Sequence, residues 1–268
     1  MDGSAIDEAL MQKIAREMNL AETTFVLPFE NPGCDARLRI FTPRRELTFA
    51  GHPTIGTSFV VRKEGLVPYD CVELWLEEKI GPVQIFVDDG ACPMFWLRTP
   101  PIAEGKIFDR SVCARALGLE TDDLLDIPPE ILDAGNPTLL IALRDEGAVD
   151  RAWLDNAGVR ILKDGQTSEP FCVFVFSARK EGAYSRMFAP EYGVPEDPAT
   201  GSSTGPLAAF MMKHGLLAPE PGTLFVSEQG RKMCRRSLLH VKVLGEQGAN
   251  GILVGGYVTA IAEGTLTI

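Results

Sequence analysis

Long apolar runs are missing from this sequence, and positive charge is scarce. No stretch approaches the length needed to span a bilayer, and the first residues, MDGSAIDEALMQ, lack the basic start and apolar core of a secretory signal. The chain has 26 Lys and Arg against 37 Asp and Glu, which gives a net charge of −11 with no basic cluster. We therefore expect a cytoplasmic protein whose partners include neither nucleic acid nor a membrane surface.

Residues that hold metals and cofactors are also few. The three histidines lie far from one another and from any cysteine pair, and the six cysteines are scattered without a C-x-x-C spacing. The sequence contains neither a Walker loop nor a dinucleotide-binding glycine motif. We predict no metal site, no disulfide framework, and cysteines that are reduced and mostly packed.

One motif suggests a serine nucleophile but lacks its partners. Residues 201–205, GSSTG, fit the G-x-S-x-G pattern of a nucleophile elbow. The elbow needs a histidine that can fold back onto the serine. His214 lies on the same predicted helix, and His240 lies in a strand-like run. A hydrolase is therefore disfavoured.

The chain does contain an internal duplication, between residues 39–67 and 186–217. Each copy opens with Arg, an apolar residue, Phe, a small residue and Pro, and then places a Glu five residues before a Gly. The equivalent positions are Arg39 and Arg186, Glu46 and Glu196, and Gly51 and Gly201. Such self-similarity indicates one unit of strand, loop, glycine turn and helix that is used twice. It favours two domains, residues 1–104 and 105–268, joined near residues 99–105.

Both predicted helices of the duplication begin at these glycines. The first turn of a helix has N–H groups without partners, and a glycine lets a ligand approach them, so each start suits a carboxylate or phosphate. A second interpretation is that Asp197, Thr200, Ser202 and Ser203 only cap the second helix. Because the feature occurs twice, we favour two helix starts that face each other across a shared site.

The remaining patterns predict a mixture of helices and strands. Further helices are predicted at residues 5–18, 110–117 and 151–157. Strands are predicted at residues 23–27, 37–41, 72–76, 83–87, 94–97, 138–143, 171–177, 184–188, 224–227, 237–244, 252–262 and 266–268. Ser4 and Asn19 are the expected ends of the first helix. Glu22 precedes the first strand; such residues are usually solvated, but the chain that folds over this segment can carry Glu22 into the cleft.

The chemistry left to the chain is that of carboxylates and His52. A Glu that is shielded from water has a raised pKa, which suits it to take a proton from carbon and to return it elsewhere. The helix starts would hold the carboxylate of a small substrate and stabilise negative charge that develops during the reaction. Such a proton transfer needs no cofactor.

Three segments resemble the phenazine-biosynthesis PhzF-like isomerase family: residues 11–26, MQKIAREMNLAETTFV; residues 49–57, FAGHPTIGT; and residues 196–202, EDPATGS. They occur in the family's order and spacing, and the resemblance covers nearly the whole chain. It implies an α+β fold with two pseudo-symmetric domains. Each would be a rolled, mostly antiparallel sheet around a central helix, as in diaminopimelate epimerase, with a last strand that can return to the first domain. It also implies a homodimer without cofactor or metal.

The resemblance further implies roles for individual residues. By motif position Glu22 is the catalytic acid/base, assisted by His52 and Asp197. The backbone N–H groups that bind the substrate carboxylate would be those of Gly51, His52, Gly201 and Ser202. The best-known member isomerises trans-2,3-dihydro-3-hydroxyanthranilate, so the implied function is a cofactor-independent isomerase or epimerase of a small carboxylic acid. Related racemases use a cysteine pair where this chain has His52 and Ser202, so a two-thiol mechanism is not supported.

The chain departs from the family pattern in three places. The family's usual first strand and Gly-Asn-Pro segment do not precede the first helix here. Either the start codon was placed late or the first sheet lacks a strand, which would weaken it. Ala21 stands where Ser is common, and Cys234 and Arg236 replace Gly and Pro in a late turn. These departures leave an alternative open, a non-catalytic family member that binds a small molecule or another protein. Replacing Glu22 with Gln would separate the two.

Overall fold

The computed structural model describes residues 6–88, 90, 92–163, 169–245 and 251–267. Its helices are α1 (Glu8–Met18), α2 (Gly51–Lys63), α3 (Arg110–Ala116), α4 (Glu146–Arg151), α5 (Asn156–Lys163) and α6 (Gly201–Lys213). Its strands are β1 (Thr23–Leu27), β2 (Ala36–Phe41), β3 (Glu46–Leu47), β4 (Glu73–Glu78), β5 (Gly81–Val87), β6 (Phe95–Arg98), β7 (Ala103–Ile107), β8 (Glu130–Asp133), β9 (Pro137–Ala142), β10 (Cys172–Arg179), β11 (Gly182–Ala189), β12 (Val194–Asp197), β13 (Leu224–Gln229), β14 (Ser237–Val243) and β15 (Ile252–Gly256).

The strands form a mixed sheet that runs through both halves of the chain. Its order is β1-β2-β4-β5-β6-β15-β14-β13-β11-β10-β9-β8-β7, with β3 added to β2 and β12 added to β11. The pairs β2–β4, β9–β10 and β11–β13 are parallel, and most other neighbours are antiparallel. The halves are joined by the antiparallel pair β6–β15, in which Leu97 lies opposite Val254. The predicted α+β class is confirmed.

A buried helix lies at the centre of each half. Helix α2 packs against β1, β2, β4, β6 and β15, and its Ile55 and Val61 belong to the first core. Helix α6 packs against β8, β9, β14 and β15, and its Leu207, Phe210 and Met211 belong to the second core. Both helices bury small polar residues as well as aliphatic ones, because the sheet surrounds them rather than covering one face. This is the predicted sheet rolled around a central helix.

The ends of the first helix show how local chemistry sets element boundaries. Asn19 ends α1 in the left-handed conformation, with φ of 49°, as the sequence predicts. The helix begins at Glu8, later than predicted, because the carboxylate of Asp7 accepts a hydrogen bond from the N–H of Leu10. The predicted cap, Ser4, lies outside the described residues.

Three element predictions were wrong. The helix predicted at residues 151–157 falls on the break between α4 and α5, where Asp155 accepts hydrogen bonds from the N–H groups of Ala157 and Gly158. The strand predicted at residues 252–262 ends at Gly256. Over residues 257–267 the chain forms no strand, so the strand predicted at the end is absent at 266 and 267.

Four short strands were not predicted: β3, β7, β8 and β12. Strand β7 lies in the stretch expected to be a linker, and its sequence AEGKI is largely exposed, so it has no alternation of apolar and polar residues to reveal it. It pairs with β8, with Ala103 opposite Asp133. The division into domains of residues 1–104 and 105–268 stays a prediction.

Candidate active site

The first turns of α2 and α6 meet backbone to backbone. A Cβ atom added to Gly51 would lie 2.6 Å from the carbonyl carbon of Gly201 and 2.6 Å from the nitrogen of Ser202, so a larger residue would push the helices apart. The N-cap residues, Ala50 and Thr200, make no side-chain hydrogen bond to their helices. The N–H groups of two first turns therefore lie side by side, where an anion can bind to both.

Thr200 does not cap α6, so that part of the capping interpretation was wrong. Its hydroxyl donates to Oδ2 of Asp197 at 2.5 Å, and its N–H donates to Oε1 of Gln229 at 3.1 Å. The amide of Gln229 donates in turn to the backbone carbonyl of Asp197 at 2.6 Å. Because Gln229 is fully buried, this network fixes the segment that carries Asp197 to the cavity.

An ion pair explains the Arg and Glu that the two copies share. In the first copy, Nε of Arg39 contacts Oε1 of Glu46 at 2.7 Å. In the second, Nε and one terminal nitrogen of Arg186 each contact an oxygen of Glu196 at 2.9 Å. The pair closes a short hairpin in each half, β2–β3 and β11–β12. Each hairpin places the residue after its Glu against the cleft.

Glu22 lies in the cleft, immediately before β1. Its side chain is 15% exposed, and its Oε2 lies 2.9 Å from Nε2 of His52. That contact is not aligned as a hydrogen bond, and this buried oxygen has no hydrogen-bond partner among the described residues. An unpartnered carboxylate oxygen beside an imidazole suits a group whose partner is a substrate.

His52 is the second residue of α2, and its side chain is 47% exposed. Desolvation lowers the pKa of His52, but the contact with Glu22 and the nearby charge of Asp197 outweigh it and raise the pKa above its ordinary value. The partial exposure weakens the desolvation, so the direction set by the two carboxylates is the physically expected one. A protonated His52 can balance the charge of an ionised Glu22.

Asp197, at the end of β12, is 8% exposed. Burial raises the pKa of Asp197 above its ordinary value, although the charge of His52 and the hydroxyl of Thr200 oppose this effect. Burial thus makes the carboxyl group of Asp197 a weaker acid than an exposed aspartate, while its charged form supports the proton on His52.

The structure brings all of the predicted site residues to one cavity of about 580 Å³, part of which is open to solvent. The residues are Glu22, Gly51, His52, Asp197, Gly201 and Ser202. Most of the remaining wall is apolar, and the sequence analysis did not identify it. Its members include Leu47, Cys172, Met187, Ala189, Tyr192 and Val194. The cavity therefore combines charged groups and free amides with a surface suited to a hydrocarbon body.

Cys172 is the counterpart of Glu22 in the second half. The residue after Glu22 pairs with Phe41, and the residue after Cys172 pairs with Phe188. Phe41 and Phe188 occupy the same position in the two copies of the duplication. Burial raises the pKa of the Cys172 thiol to about 12, so the thiol is uncharged near pH 7. Extending the repeat backwards by one strand would have revealed this residue in the sequence.

The part of the chain that the structure describes contains neither a metal-binding cluster nor a membrane-spanning helix. No group of three or more His, Cys, Asp and Glu is placed there to hold a metal ion. None of the helices there is long and apolar enough to cross a membrane.

Comparison with known proteins identifies the family. The phenazine biosynthesis-like protein family matches residues 1–264. Trans-2,3-dihydro-3-hydroxyanthranilate isomerase of Pseudomonas aeruginosa is 35% identical over 261 residues, which are 95% of this chain and 87% of that protein. A solved structure from Pseudomonas aeruginosa, described as that of a predicted epimerase, is 31% identical with a TM-score of 0.81, over 100% of this chain and 91% of that chain.

A more distant structure shares the fold. It is that of a probable proline racemase from Agrobacterium radiobacter K84, 15% identical with a TM-score of 0.68, over 98% of this chain and 83% of that chain. Because the family match and the named isomerase both extend over nearly the whole chain, the protein belongs to the phenazine biosynthesis-like family and is an isomerase.

Proposed function

We propose that the protein isomerises a small carboxylic acid by moving a proton on carbon, with Glu22 as the acid/base group and without a cofactor. The observation that carries the proposal is the buried, unpartnered Oε2 of Glu22, 2.9 Å from His52, in a cavity that also contains two uncapped helix starts. These parts supply a base, its counter-charge and an anion site within one space.

The carboxylate of the substrate would bind where the two helices meet. The N–H groups of Gly51, His52, Gly201 and Ser202 are the donors nearest that point, and both helix dipoles present their positive ends there. When a proton leaves the neighbouring carbon, negative charge spreads into the carboxylate, and these donors stabilise it more strongly than they stabilise the ground state.

The proton transfer requires only groups that line the cavity. An ionised Glu22 takes a proton from carbon, the electron pair of that C–H bond moves into the unsaturated substrate, and Glu22 returns the proton at a second carbon on the same face. His52, with its raised pKa, balances the charge of Glu22, and Asp197, which lines the same cavity, assists by supporting the proton on His52. Each proton and electron pair returns to the product, so no oxidant is needed.

The apolar wall points to a compact hydrocarbon body on the substrate, such as a ring or an alkene. The named isomerase among the relatives acts on trans-2,3-dihydro-3-hydroxyanthranilate, which makes this compound the first one to test. We also propose a homodimer, which light scattering would show as twice the mass of one chain. Dialysis against EDTA should leave the rate unchanged.

Replacing Glu22 with Gln is the direct test of this proposal. We expect kcat for the isomerisation to fall by about 10³-fold, within the range for a lost acid/base group, because the amide cannot take the proton. Glu17→Gln is the matched control, since Glu17 is an exposed residue at the end of α1, and it should keep the wild-type rate. Retention of more than a tenth of the rate by Glu22→Gln would contradict the assigned role.

A family member that binds without catalysis gives a different result. Neither the wild type nor Glu22→Gln would then turn over any compound, while calorimetry would show that both bind a small carboxylate with similar affinity. The comparison therefore separates a failed catalytic assignment from a cavity that serves only for binding.

A further inference from the structure

Glu78, the last residue of β4, is a buried acid outside the cavity. It is 5% exposed; its Oε1 lies 2.5 Å from Oγ1 of Thr54 on α2, and its buried Oε2 has no hydrogen-bond partner among the described residues. The charged side chains that line the adjacent surface are Glu8, Arg37, Arg39, Glu46, Glu77 and Lys79. The cations of this group pair with Glu8, Glu30 or Glu46, so within the described ranges no cation pairs with Glu78.

The hydroxyl of Thr54 shows in which form Glu78 fits this position. Its Oγ1 lies 2.6 Å from the carbonyl oxygen of Ala50 and 2.5 Å from Glu78, but a hydroxyl has one hydrogen to donate. In the other half, the equivalent Thr204 donates to the carbonyl of Thr200 at 2.8 Å. If Thr54 donates to Ala50 in the same way, the contact with Glu78 is satisfied only when Glu78 carries the proton and donates it to Thr54.

The duplication provides an independent reason, because Glu78 is the counterpart of Gln229. The residue before Glu78 pairs with Arg37, and the residue before Gln229 pairs with Tyr184, in both cases between parallel strands. Arg37 and Tyr184 each lie two residues before the Arg that the two copies share. The amide of Gln229 accepts from the N–H of the N-cap residue Thr200 at 3.1 Å and donates to its hydroxyl at 2.9 Å. A neutral carboxyl group, like an amide, both donates and accepts hydrogen bonds.

We propose that Glu78 is a positioning residue that holds the start of α2 as an uncharged carboxylic acid, as the amide of Gln229 holds the start of α6. The hydroxyl of Thr54 contacts both Glu78 and the carbonyl oxygen of Ala50, the N-cap residue of α2. Through this hydroxyl the acid fixes the turn that presents Gly51 and His52 to the substrate. Burial, the largest effect, raises the pKa of Glu78 to about 8 and agrees with this form. The effect on turnover rests on the proposed isomerase function.

This arrangement has a consequence for pH. Loss of the proton would leave an unpaired negative charge beside the oxygens of Thr54 and Ala50, which displaces the start of α2. We therefore expect carboxylate binding and turnover to weaken as the pH rises through about 8. Glu78→Gln should abolish this component of the alkaline decline, because an amide keeps both hydrogen-bonding roles without ionising.

Urea unfolding tests the protonation state without any assay of function. The folded wild type keeps a proton that the unfolded chain releases above pH 4.5, the ordinary value for Glu. Between pH 4.5 and about 8, unfolding of the wild type releases one proton, because the pKa of Glu78 is raised in the folded state. The ratio of the unfolding equilibrium constant of the wild type to that of Glu78→Gln should therefore rise about tenfold per pH unit. Glu64→Gln, at an exposed residue just beyond α2, should show a constant ratio to the wild type. A constant ratio for Glu78→Gln as well would overturn the proposal.

The positioning role needs a readout at the site. We would follow the ring resonances of His52 by NMR from pH 6 to 10, and measure turnover of trans-2,3-dihydro-3-hydroxyanthranilate over the same range. Both proteins should show the titration of the His52 ring itself. The wild type should show a further inflection near pH 8 in both readouts, and Glu78→Gln should lack this further inflection while its turnover at pH 7 stays within about threefold. The reciprocal variant, Gln229→Glu, should introduce a pH-dependent loss of turnover that arises at the start of α6.

The possible outcomes separate the two proposals. The further inflection of the His52 resonances in the wild type but not in Glu78→Gln supports the positioning role even if no compound is turned over, in which case the isomerase proposal alone fails. Identical titration curves of the His52 resonances in the wild type and Glu78→Gln, or turnover that Glu78→Gln reduces more than tenfold at pH 7, would refute the positioning role.

Discussion

Each half of the protein contributes one carboxyl group to the cavity, from different positions of the duplicated unit. Glu22 lies immediately before β1, and the equivalent residue in the second half is Cys172, whose thiol is uncharged. Asp197 lies at the end of the β11–β12 hairpin, and the equivalent residue in the first half is the apolar Leu47. The two walls of a nearly symmetric cleft thus carry different chemical groups.

Asp197→Asn should make the protein more stable and less active. The pKa of Asp197 is raised in the folded state, so the acid contributes most stability at low pH and loses it as the pH rises. The amide avoids this loss, so the urea midpoint of the variant should exceed that of the wild type at pH 7, by a margin that increases from pH 4 upwards. The rate should fall by about 10²-fold, because the amide cannot carry the negative charge that supports the proton on His52. A variant less stable than the wild type at pH 7 would show that Asp197 is held ionised.

Cys172→Ala should keep the rate within about threefold of the wild type, since the thiol, with its pKa raised to about 12, holds its proton near pH 7 and is not the base of this proposal. Steady-state kinetics at pH 7 would test this. A loss of 10²-fold or more would instead assign a proton transfer to Cys172. In that case the cavity would work with an acid and a thiol on opposite walls.

At the scale of residues, the sequence identifies some site groups better than others. Glu22 and His52 belong to motifs that resemble a known family, and both lie in the cavity. Cys172 and Gln229 have no motif of their own, because their positions follow from strand register, which pairs residues far apart in the chain. The repeat contains that register, but only after the strands themselves have been assigned.

At the scale of elements, the account depends on the contact between the starts of α2 and α6. Gly51→Ala should lower kcat/KM by about 10²-fold, because its methyl group would lie 2.6 Å from the backbone of Gly201 and the two helix starts must separate. Gly56→Ala, on the same helix, is the control, since no atom lies within 4 Å of its added methyl group. That control should keep its activity and become more stable by about 1 kcal/mol.

The comparison of these two variants by kinetics and urea unfolding is informative in either direction. If Gly51→Ala binds and turns over substrate like Gly56→Ala, the N–H groups of the two helices do not act together. If both variants lose activity equally, α2 tolerates no substitution, and the contact with Gly201 is not the reason.

Element prediction from the sequence succeeded where the pattern was local. The strand β1 and the end of α1 at Asn19 depend on side-chain alternation and on a left-handed residue, which neighbouring positions specify. The break between α4 and α5 depends on the capping carboxylate of Asp155, and β7 depends on pairing with β8. A short exposed strand of that kind is formed by its partner, so its own residues do not predict it.

At the scale of the whole molecule, the duplication determines the architecture. Two rolled units are joined by the β6–β15 pair, and the two central helices meet at their N-terminal ends. That meeting point is the place where two helix dipoles and two carboxyl groups converge on one cavity. The repeat predicted two related units, and the resemblance to a known family predicted that each is a sheet rolled around a helix. The choice of substrate depends on the apolar wall of the cavity, which neither copy of the repeat marks.

The most direct test of the central claim, proton transfer through Glu22, is proton NMR in heavy water. The wild type and Glu22→Gln would each be incubated with trans-2,3-dihydro-3-hydroxyanthranilate and with a panel of small amino and hydroxy acids. The account predicts that deuterium appears on carbon with the wild type and not with Glu22→Gln, while line broadening shows that both bind the same compound. Equal deuterium incorporation by both proteins, or binding by the wild type without exchange on any compound, would contradict it.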